Sequence, residues 1–174
     1  EADSFIDALR GMDIEPLLHP SSEREIFLVL PRGVSVASLP GYEEGWFVVQ
    51  DPATLLSVDL LAPRGGEQVL DACAAPGGKT ILMASRMRRA GEGIVAMELH
   101  TDRLPKLEVN LRRLGFEGVE VVQGDARAPQ EAMGDRAFDA ILIDVPCSNS
   151  GVLRRRSDAR WRIDAGSCNT PTRA

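Results

Sequence analysis

The most specific chemical signal in the sequence is an acid and a thiol three residues apart, Asp144 and Cys147, directly after an apolar run from Phe138 to Ile143. The run predicts a strand, and in an open parallel sheet the residues that follow a strand lie where ligands bind. Pro146 stiffens the backbone between the two groups. The pair therefore places a carboxylate and a thiol together at the sheet edge, beside the predicted ligand site, where the thiol could do chemistry. The alternative is that Cys147 is a buried small apolar residue.

A second signal is a segment of small residues that ends in Gly78-Lys79-Thr80, between a predicted strand at Gln68–Ala72 and a predicted helix. Small residues let a ligand approach the backbone and the amino end of the helix. The ending is similar to a phosphate-binding P-loop, but that motif needs a glycine where Cys73 stands. The segment is not a GxGxxG dinucleotide loop either. A tight turn without a ligand is the alternative.

Two acids follow the next two predicted strands. Glu98 ends a strand at Gly93–Met97, about 20 residues beyond the glycines, where a carboxylate can accept both hydroxyls of a ribose. Asp125 follows a strand at Val119–Val122 and can accept a hydrogen bond from an adenine amine. Each acid has a local alternative, as an exposed strand-end side chain or a turn residue. The small-residue loop and the two acids on three successive strands together predict an adenosine pocket.

Alternating strands and helices would position these groups. The sequence predicts a helix capped by Asp51 and ending near Leu61, then helices at Gly78–Arg89 and Thr101–Leu114, and a strand at Ala137–Ile143. Strands separated by helices of this length predict right-handed crossovers and a parallel sheet. The predicted fold class is therefore α/β, an open sheet of Rossmann type.

Residues 1–50 have a different pattern of predicted elements. They contain a short amphipathic helix at Phe5–Leu9 and β-like runs at Ile26–Leu30, Val34–Ala37 and Trp46–Val49, separated by prolines and glycines. This pattern predicts a small α+β subdomain without a large core of its own. We therefore divide the chain into an N-terminal subdomain (1–50), a Rossmann-like core (51–162) and a divergent tail (163–174).

Composition limits the class of protein. The 174 residues are 44% hydrophobic and 26% charged, which suits one domain with a small appendage. No apolar run approaches the roughly 20 residues of a membrane span, and the first residues lack the features of a secretory signal, so we expect a cytoplasmic protein without a membrane partner. Three cysteines and two histidines show no metal-ligand spacing, which predicts no metal site.

The charge distribution is uneven. A net charge of −6 argues against a nucleic-acid partner, yet six arginines and only two aspartates lie between residues 154 and 174. Three of these arginines, Arg154, Arg155 and Arg156, follow the Asp144 loop, where an RNA backbone would pass. The alternative is an ordinary solvated turn.

Several of these segments together resemble the bacterial ribosomal RNA small subunit methyltransferase B family, within the Nol1/Nop2/Sun group of RNA cytosine-C5 methyltransferases. The resemblance runs from about Phe5 to Arg162 and is carried by residues 45–51 (GWFVVQD), 70–80 (LDACAAPGGKT), 144–148 (DVPCS) and 151–155 (GVLRR), with Asp158 and Trp161.

The resemblance implies S-adenosylmethionine as cofactor and ribosomal RNA as partner. It implies that the cofactor is bound by Cys73, Ala74, Ala75, Pro76, Gly77, Gly78 and Lys79. It further implies that Glu98 takes the ribose, and that Arg103, Asp125 and Asp144 complete the cofactor side. The implied fold is a Rossmann-like methyltransferase sheet.

The implied chemistry uses a thiol and an acid. C5 of cytosine is a poor nucleophile, so a cysteine thiolate first adds to C6, and an acid near N3, here Asp144, stabilises the adduct. In the family, the cysteine that corresponds to Cys147 assists release, and the nucleophile belongs to a later Thr-Cys-Ser motif. This sequence has no such motif, and Cys168 in Ser-Cys-Asn is interpreted as a bystander.

We therefore expect a C-terminally incomplete sheet, from a shortened gene product or from one whose reading frame changes near Ile163. Two other functions stay open. An exocyclic amine methyltransferase is disfavoured, because such enzymes usually have a second proline and an aromatic residue where Val145-Pro146-Cys147 stands. A module that binds S-adenosylmethionine or RNA without turnover is favoured by the missing nucleophile.

Overall fold

In a computed structural model of the chain, the structure describes residues 2–20, 26–87 and 91–145. The chain divides into two compact units, Glu1–Ile143 and Asp144–Ala174. The elements in chain order are α1 (Ala2–Arg10), β1 (Leu17–Leu18), β2 (Leu28–Val29), a 3-10 turn (Val36–Ser38), α2 (Thr54–Leu61), β3 (Val69–Asp71), α3 (Gly78–Met87), β4 (Ile94–Glu98), α4 (Leu104–Arg113), β5 (Glu120–Gln123), α5 (Gln130–Met133) and β6 (Ala140–Leu142).

Four strands form a parallel sheet in the order β5-β4-β3-β6. Val69 of β3 pairs with Ile94 on one side and with Ala140 on the other. The chain builds outward from β3 through β4 to β5 and then returns to place β6 on the opposite side of β3. In such sheets, ligands bind at this reversal of strand order, beyond the carboxyl ends of the strands. The predicted α/β parallel sheet is confirmed.

The two central strands are buried on both faces. Ile94 and Ala96 of β4 pack with Met83 of α3 and Leu107 of α4 on one face of the sheet. Val95 and Met97 pack with Leu70 on the other face. Burial on both faces explains why these strands have continuous apolar sequences, since an alternating pattern would place polar groups in a core.

The N-terminal segment packs around a small apolar cluster. Phe5 and Leu9 of α1 meet Leu39, and the ring of Phe5 stacks on that of Phe47 with centroids 4.7 Å apart. The strand predicted at Val34–Ala37 is wrong, because the 3-10 turn at Val36–Ser38 directs the chain so that Leu39 enters this cluster.

Residues 46–49 are not a strand either. The Trp46 N–H donates to Gly41 O at 2.9 Å, and the carbonyl of Phe47 accepts from the Arg113 side chain at 3.2 Å. Their polar groups are thus used in a turn and by a side chain rather than in a ladder. β1 and β2 form an antiparallel pair, of which the sequence predicted only the second strand.

The start of α2 also differs from the prediction. Asp51 Oδ1 accepts from the Ala53 N–H at 3.1 Å, and its carbonyl accepts from the Thr54 N–H at 2.9 Å, so Asp51 forms a turn and the helix begins at Thr54. The short helix α5 was not predicted. Within the described residues, no helix combines the length and apolarity needed to cross a membrane.

Candidate functional site

The site begins at the loop between β3 and α3, residues 72–77, which we call the β3–α3 loop. Its alanines at 72, 74 and 75 are buried, while Pro76 is exposed and Cys73 half-buried. Gly78 and Lys79, at the start of α3, are also half-buried. The loop therefore exposes Pro76 and part of Cys73 at the carboxyl end of β3, where the strand order reverses.

The backbone groups from Ala74 to Gly77 are hydrogen-bonded within the chain. Ala74 N–H donates to Met97 O at 2.9 Å, and Gly77 N–H donates to Ala74 O at 2.7 Å. Ala75 N–H donates to Glu98 Oε2 at 3.2 Å. The carbonyl of Gly77 accepts from Ile81 N–H at 2.9 Å. These bonds connect the loop to β4 and to its own helix, so its shape is fixed from two sides.

The side chains of Arg103 and Asn110 bind the carbonyls of Ala75 and Pro76. Arg103 Nη2 donates to Ala75 O at 2.6 Å, and Asn110 Nδ2 donates to Pro76 O at 2.9 Å. Gly77 has φ +106°, and a Cβ there would lie 2.9 Å from Leu107 Cδ1. A glycine is required at 77 both for its left-handed backbone and for close contact with α4.

Glu98 holds the loop from the end of β4. Its side chain is only 3% exposed, and its Oε2 lies 3.3 Å from Arg103 Nη1 as well as accepting from Ala75 N–H. Its Oε1 accepts from His100 N–H at 3.0 Å. The acid predicted to bind the ribose thus also holds the loop and Arg103 against the end of β4.

Asp125 follows β5, and the Gly124 N–H before it donates to Glu98 O at 3.1 Å, which places the two predicted acids on adjacent strands at one edge. Asp125 Oδ1 accepts from Arg127 N–H at 2.9 Å and from Arg127 Nε at 3.0 Å, and its Oδ2 accepts from Nη2 at 2.5 Å. The hydrogen bonds from the Arg127 side chain lower the pKa of Asp125 to about 2. This acid therefore stays ionised in the presence of neutral ligands.

The sequence did not predict two contacts of the site. The hydroxyl of Thr80, fully buried, donates to Asp71 Oδ2 at 2.6 Å, which ties the first turn of α3 to the end of β3. Gln50 donates through Nε2 to Thr54 Oγ1 at 2.7 Å, and its Oε1 lies so close to Gly78 that a Cβ there would collide with it. Gln50 belongs to segment 45–51, which carries the family resemblance, and lies at the predicted boundary before Asp51, but neither signal predicted its proximity to Gly78.

The structure brings together the loop residues 73–79, Glu98 and Arg103 by direct contact, and Asp125 through the neighbouring strand. Asp144 begins the second compact unit. The predicted Cys147 and the arginines at 154–156 lie outside the described residues, as does Cys168. Within the residues that the structure describes, no three His, Cys, Asp or Glu side chains cluster as metal ligands would.

The parallel sheet, with this loop at its reversal point and acids after the next two strands, has the Rossmann-like fold of S-adenosylmethionine-dependent methyltransferases. Solved structures with a similar fold support this assignment of the fold. The chain superposes on PH0851 with a TM-score of 0.87 and 29% identity, over 97% of this chain and 38% of that one. A methyltransferase homolog from Pyrococcus horikoshii gives 0.71 and 30%, over 91% and 50%. NSun6 from the same organism, with SFG, gives 0.60 and 32%, over 73% and 34%.

The family is shown by sequence. The model of the 16S rRNA methyltransferase RsmB/F family matches residues 58–170, and the chain belongs to this family. Ribosomal RNA small subunit methyltransferase B of Vibrio vulnificus is 40% identical over 161 residues, 92% of this chain and 37% of the relative. The protein of that name from Yersinia pseudotuberculosis is 42% identical over 157 residues, 90% and 35%. The chain spans about a third of the length of these curated relatives.

Proposed function

We propose that this chain is the cofactor-binding portion of an S-adenosylmethionine-dependent methyltransferase that acts on C5 of cytosine in 16S ribosomal RNA. The observation that carries the proposal is the β3–α3 loop, fixed at the reversal point of the sheet with Glu98 against it. Family membership supports the reaction class and the RNA. NSun6, a structural relative at 32% identity, was solved with an analogue of the cofactor.

The chemistry of the donor set fits an adenosine. An adenosine offers two ribose hydroxyls and one exocyclic amine as donors, and the edge of the sheet offers two carboxylates as acceptors. Among the described contacts, Glu98 Oε1 accepts one hydrogen bond, from His100 N–H. A carboxylate oxygen accepts two, so Oε1 retains a lone pair for a ribose hydroxyl. Asp125 Oδ2, 27% exposed as a side chain, would take the adenine amine in exchange for part of its Arg127 contact.

The loop itself would hold the cofactor by shape. Since its backbone groups from Ala74 to Gly77 are bonded within the chain, the small side chains and the exposed Pro76 provide van der Waals contact. The proposed cofactor-binding set is that of the sequence prediction: residues 73–79 with Glu98, Arg103, Asp125 and Asp144. Arg103 acts indirectly, since its guanidinium binds Ala75 O and Glu98.

When bound, S-adenosylmethionine supplies an electrophilic methyl group. Asp144 would act as the acid near N3 of the cytosine, and Cys147 would act either in release of the product or as the nucleophile that adds to C6. Residues 1–50 would face the RNA, and Arg154, Arg155 and Arg156 would bind its phosphates. An enzyme of ribosomal RNA would work in the cytoplasm.

The proposal is tested with the purified 174-residue chain, methyl-labelled S-adenosylmethionine and 16S RNA. We expect calorimetric binding of the cofactor, and label in RNA as 5-methylcytosine. Loss of label in Cys147→Ala, with label retained in Cys168→Ala, would assign Cys147 to catalysis. Cofactor binding without label in RNA would leave only a binding module, and absence of cofactor binding would refute the proposal.

The adenine assignment has its own test. Asp125→Ala is expected to weaken cofactor affinity in calorimetry, because the amine loses its acceptor. Glu131→Ala, an exposed acid of the short helix α5, serves as the control for a change of charge. Equal affinity of Asp125→Ala and the unsubstituted chain would remove Asp125 from the site.

A further inference from the structure

We infer that one face of α4, formed by Arg103, Leu107 and Asn110, positions the β3–α3 loop, and that Asn110 is a positioning residue for the proposed cofactor site. The identity of the ligand rests on the proposed function, whereas the loop geometry does not.

The three residues are spaced by four and three positions, which places them on one face of a helix. Arg103 stands at the amino-terminal cap of α4, Leu107 is fully buried in its middle and Asn110 lies one turn from its end. They meet three consecutive loop residues: Arg103 binds the carbonyl of Ala75, Asn110 binds that of Pro76, and Leu107 packs under Gly77. One helix face thus contacts the loop along the length of α4.

The side chains of α4 complete the hydrogen bonding of the loop. Between Ala74 and Gly77, three N–H groups and four carbonyls need partners, and each has one in the structure. Main-chain groups and Glu98 supply all but two of them. Arg103 and Asn110 supply those two. A loop whose polar groups are all satisfied keeps its shape before a ligand arrives, which reduces the ordering cost of binding.

The residue type at 110 supports this role. Asparagine is a weak helix former, and position 110 lies inside α4, where alanine or leucine would favour the helix more. The contact that accounts for an amide here is the donation to Pro76 O, across 34 positions of sequence. An aspartate of the same size could not donate, and its carboxylate would repel the carbonyl.

The test compares Asn110→Asp with two control variants in the full chain. Val109→Ala changes the neighbouring exposed residue on α4, and Phe5→Leu destabilises the distant N-terminal cluster. Hydrogen exchange is measured for peptides covering residues 72–79 and for peptides covering β4. Affinity for S-adenosylhomocysteine, the demethylated cofactor, is measured by calorimetry.

We expect Asn110→Asp to accelerate exchange in residues 72–79 but not in β4, and to weaken affinity about tenfold, equivalent to about 1.4 kcal/mol. Phe5→Leu should lower the melting temperature without either effect, and Val109→Ala should change none of the three readouts. Unchanged exchange in residues 72–79 of Asn110→Asp would overturn the inference.

The two proposals can fail separately. If the unsubstituted chain does not bind S-adenosylhomocysteine but Asn110→Asp still accelerates exchange in residues 72–79, the cofactor assignment fails and the loop-positioning role of α4 stands. If exchange accelerates while affinity stays equal to that of a binding-competent unsubstituted chain, Asn110 shapes the loop without serving the site, and the positioning role is overturned.

Discussion

The core after Asp51 and the N-terminal segment before it are held together in different ways. In the core, β3 and β4 are buried on both faces, so non-directional apolar contacts dominate. In the segment, both leucines of β1 are about two-thirds exposed, and attachment to the core includes directed contacts. Arg113 of α4 donates to Tyr42 O at 2.6 Å and to Phe47 O at 3.2 Å while its guanidinium lies 4.3 Å from the Tyr42 ring. We expect the core to tolerate surface changes and the segment to depend on a few polar contacts.

The largest expected effect comes from truncating one isoleucine in each of the two regions. Ile94→Ala in buried β4 should lower the free energy of unfolding by about 2 to 5 kcal/mol, because it removes core contacts and leaves a cavity. Ile26→Ala, at an exposed position of the segment, should change it by less than about 0.5 kcal/mol. Urea unfolding followed by circular dichroism measures both. Similar losses at the two positions would end the distinction between the regions.

A second prediction concerns the boundary between the N-terminal segment and the core, where the side chain of Gln50 lies next to Gly78. Gly78→Ala should destabilise the protein by about 1 kcal/mol, because the added Cβ displaces the end of the flexible Gln50 side chain from its hydrogen bond to Thr54. In a Gln50→Ala background the same change should destabilise less, which a double-mutant cycle detects. Gly11→Ala is the control, because a Cβ there meets no atom closer than 3.4 Å. If the two substitutions change the free energy of unfolding additively, then a Cβ at position 78 does not interact with the Gln50 side chain.

A third prediction tests the attachment of the segment. Arg113→Met keeps an apolar stem but removes the donors to Tyr42 O and Phe47 O, which should cost about 1 to 3 kcal/mol for two carbonyls left without these partners. Protease cleavage within residues 2–50 should accelerate while the core stays resistant. Arg112→Met, at an exposed position, should cleave as slowly as the unsubstituted chain. Equal protection in both variants would show that apolar contacts alone hold the segment.

The smallest effect is electrostatic and confined to the core edge. Arg127→Gln should raise the pKa of Asp125 from about 2 toward its ordinary value, because the hydrogen-bonded cation is lost. Since the folded pKa is depressed, the pair stabilises the protein above about pH 4, the ordinary range for aspartate, and this contribution disappears as the pH falls through about 2. Carbon NMR titration of the carboxyl group measures the change. Arg136→Gln, which removes the partner of Glu120, should leave Asp125 unaffected.

The sequence predicted the core better than the segment for a physical reason. Strands such as Val69–Asp71 and Ile94–Glu98 are apolar on both faces, and that signal is local. The run at Val34–Ala37 has similar local composition, but packing of Leu39 against Phe5 decides its conformation. A contact between residues far apart in sequence therefore overrides the local strand propensity of this run.

The same division applies to the site. The positions of the loop, Glu98 and Asp125 at the ends of strands were predicted from the order of the elements alone. Asn110 and the Thr80–Asp71 hydrogen bond were not, because each depends on the angle at which a helix packs against the sheet. The contact between Glu98 and the loop was not predicted, for a related reason. The burial of the Glu98 carboxylate depends on the path of the loop over it.

Helix α4 contacts the loop from Arg103 to Asn110 and contacts the N-terminal segment through Arg113 at its carboxyl end. It has ten residues, which at about 1.5 Å per residue is a rod of about 15 Å. Arg103 at its start binds Ala75 O, and Arg113 at its end binds the carbonyls of Tyr42 and Phe47. A single inserted residue would rotate one end against the other by about 100° and separate one arginine from its carbonyls. The two regions that α4 joins therefore constrain its length more strongly than they constrain its exposed face.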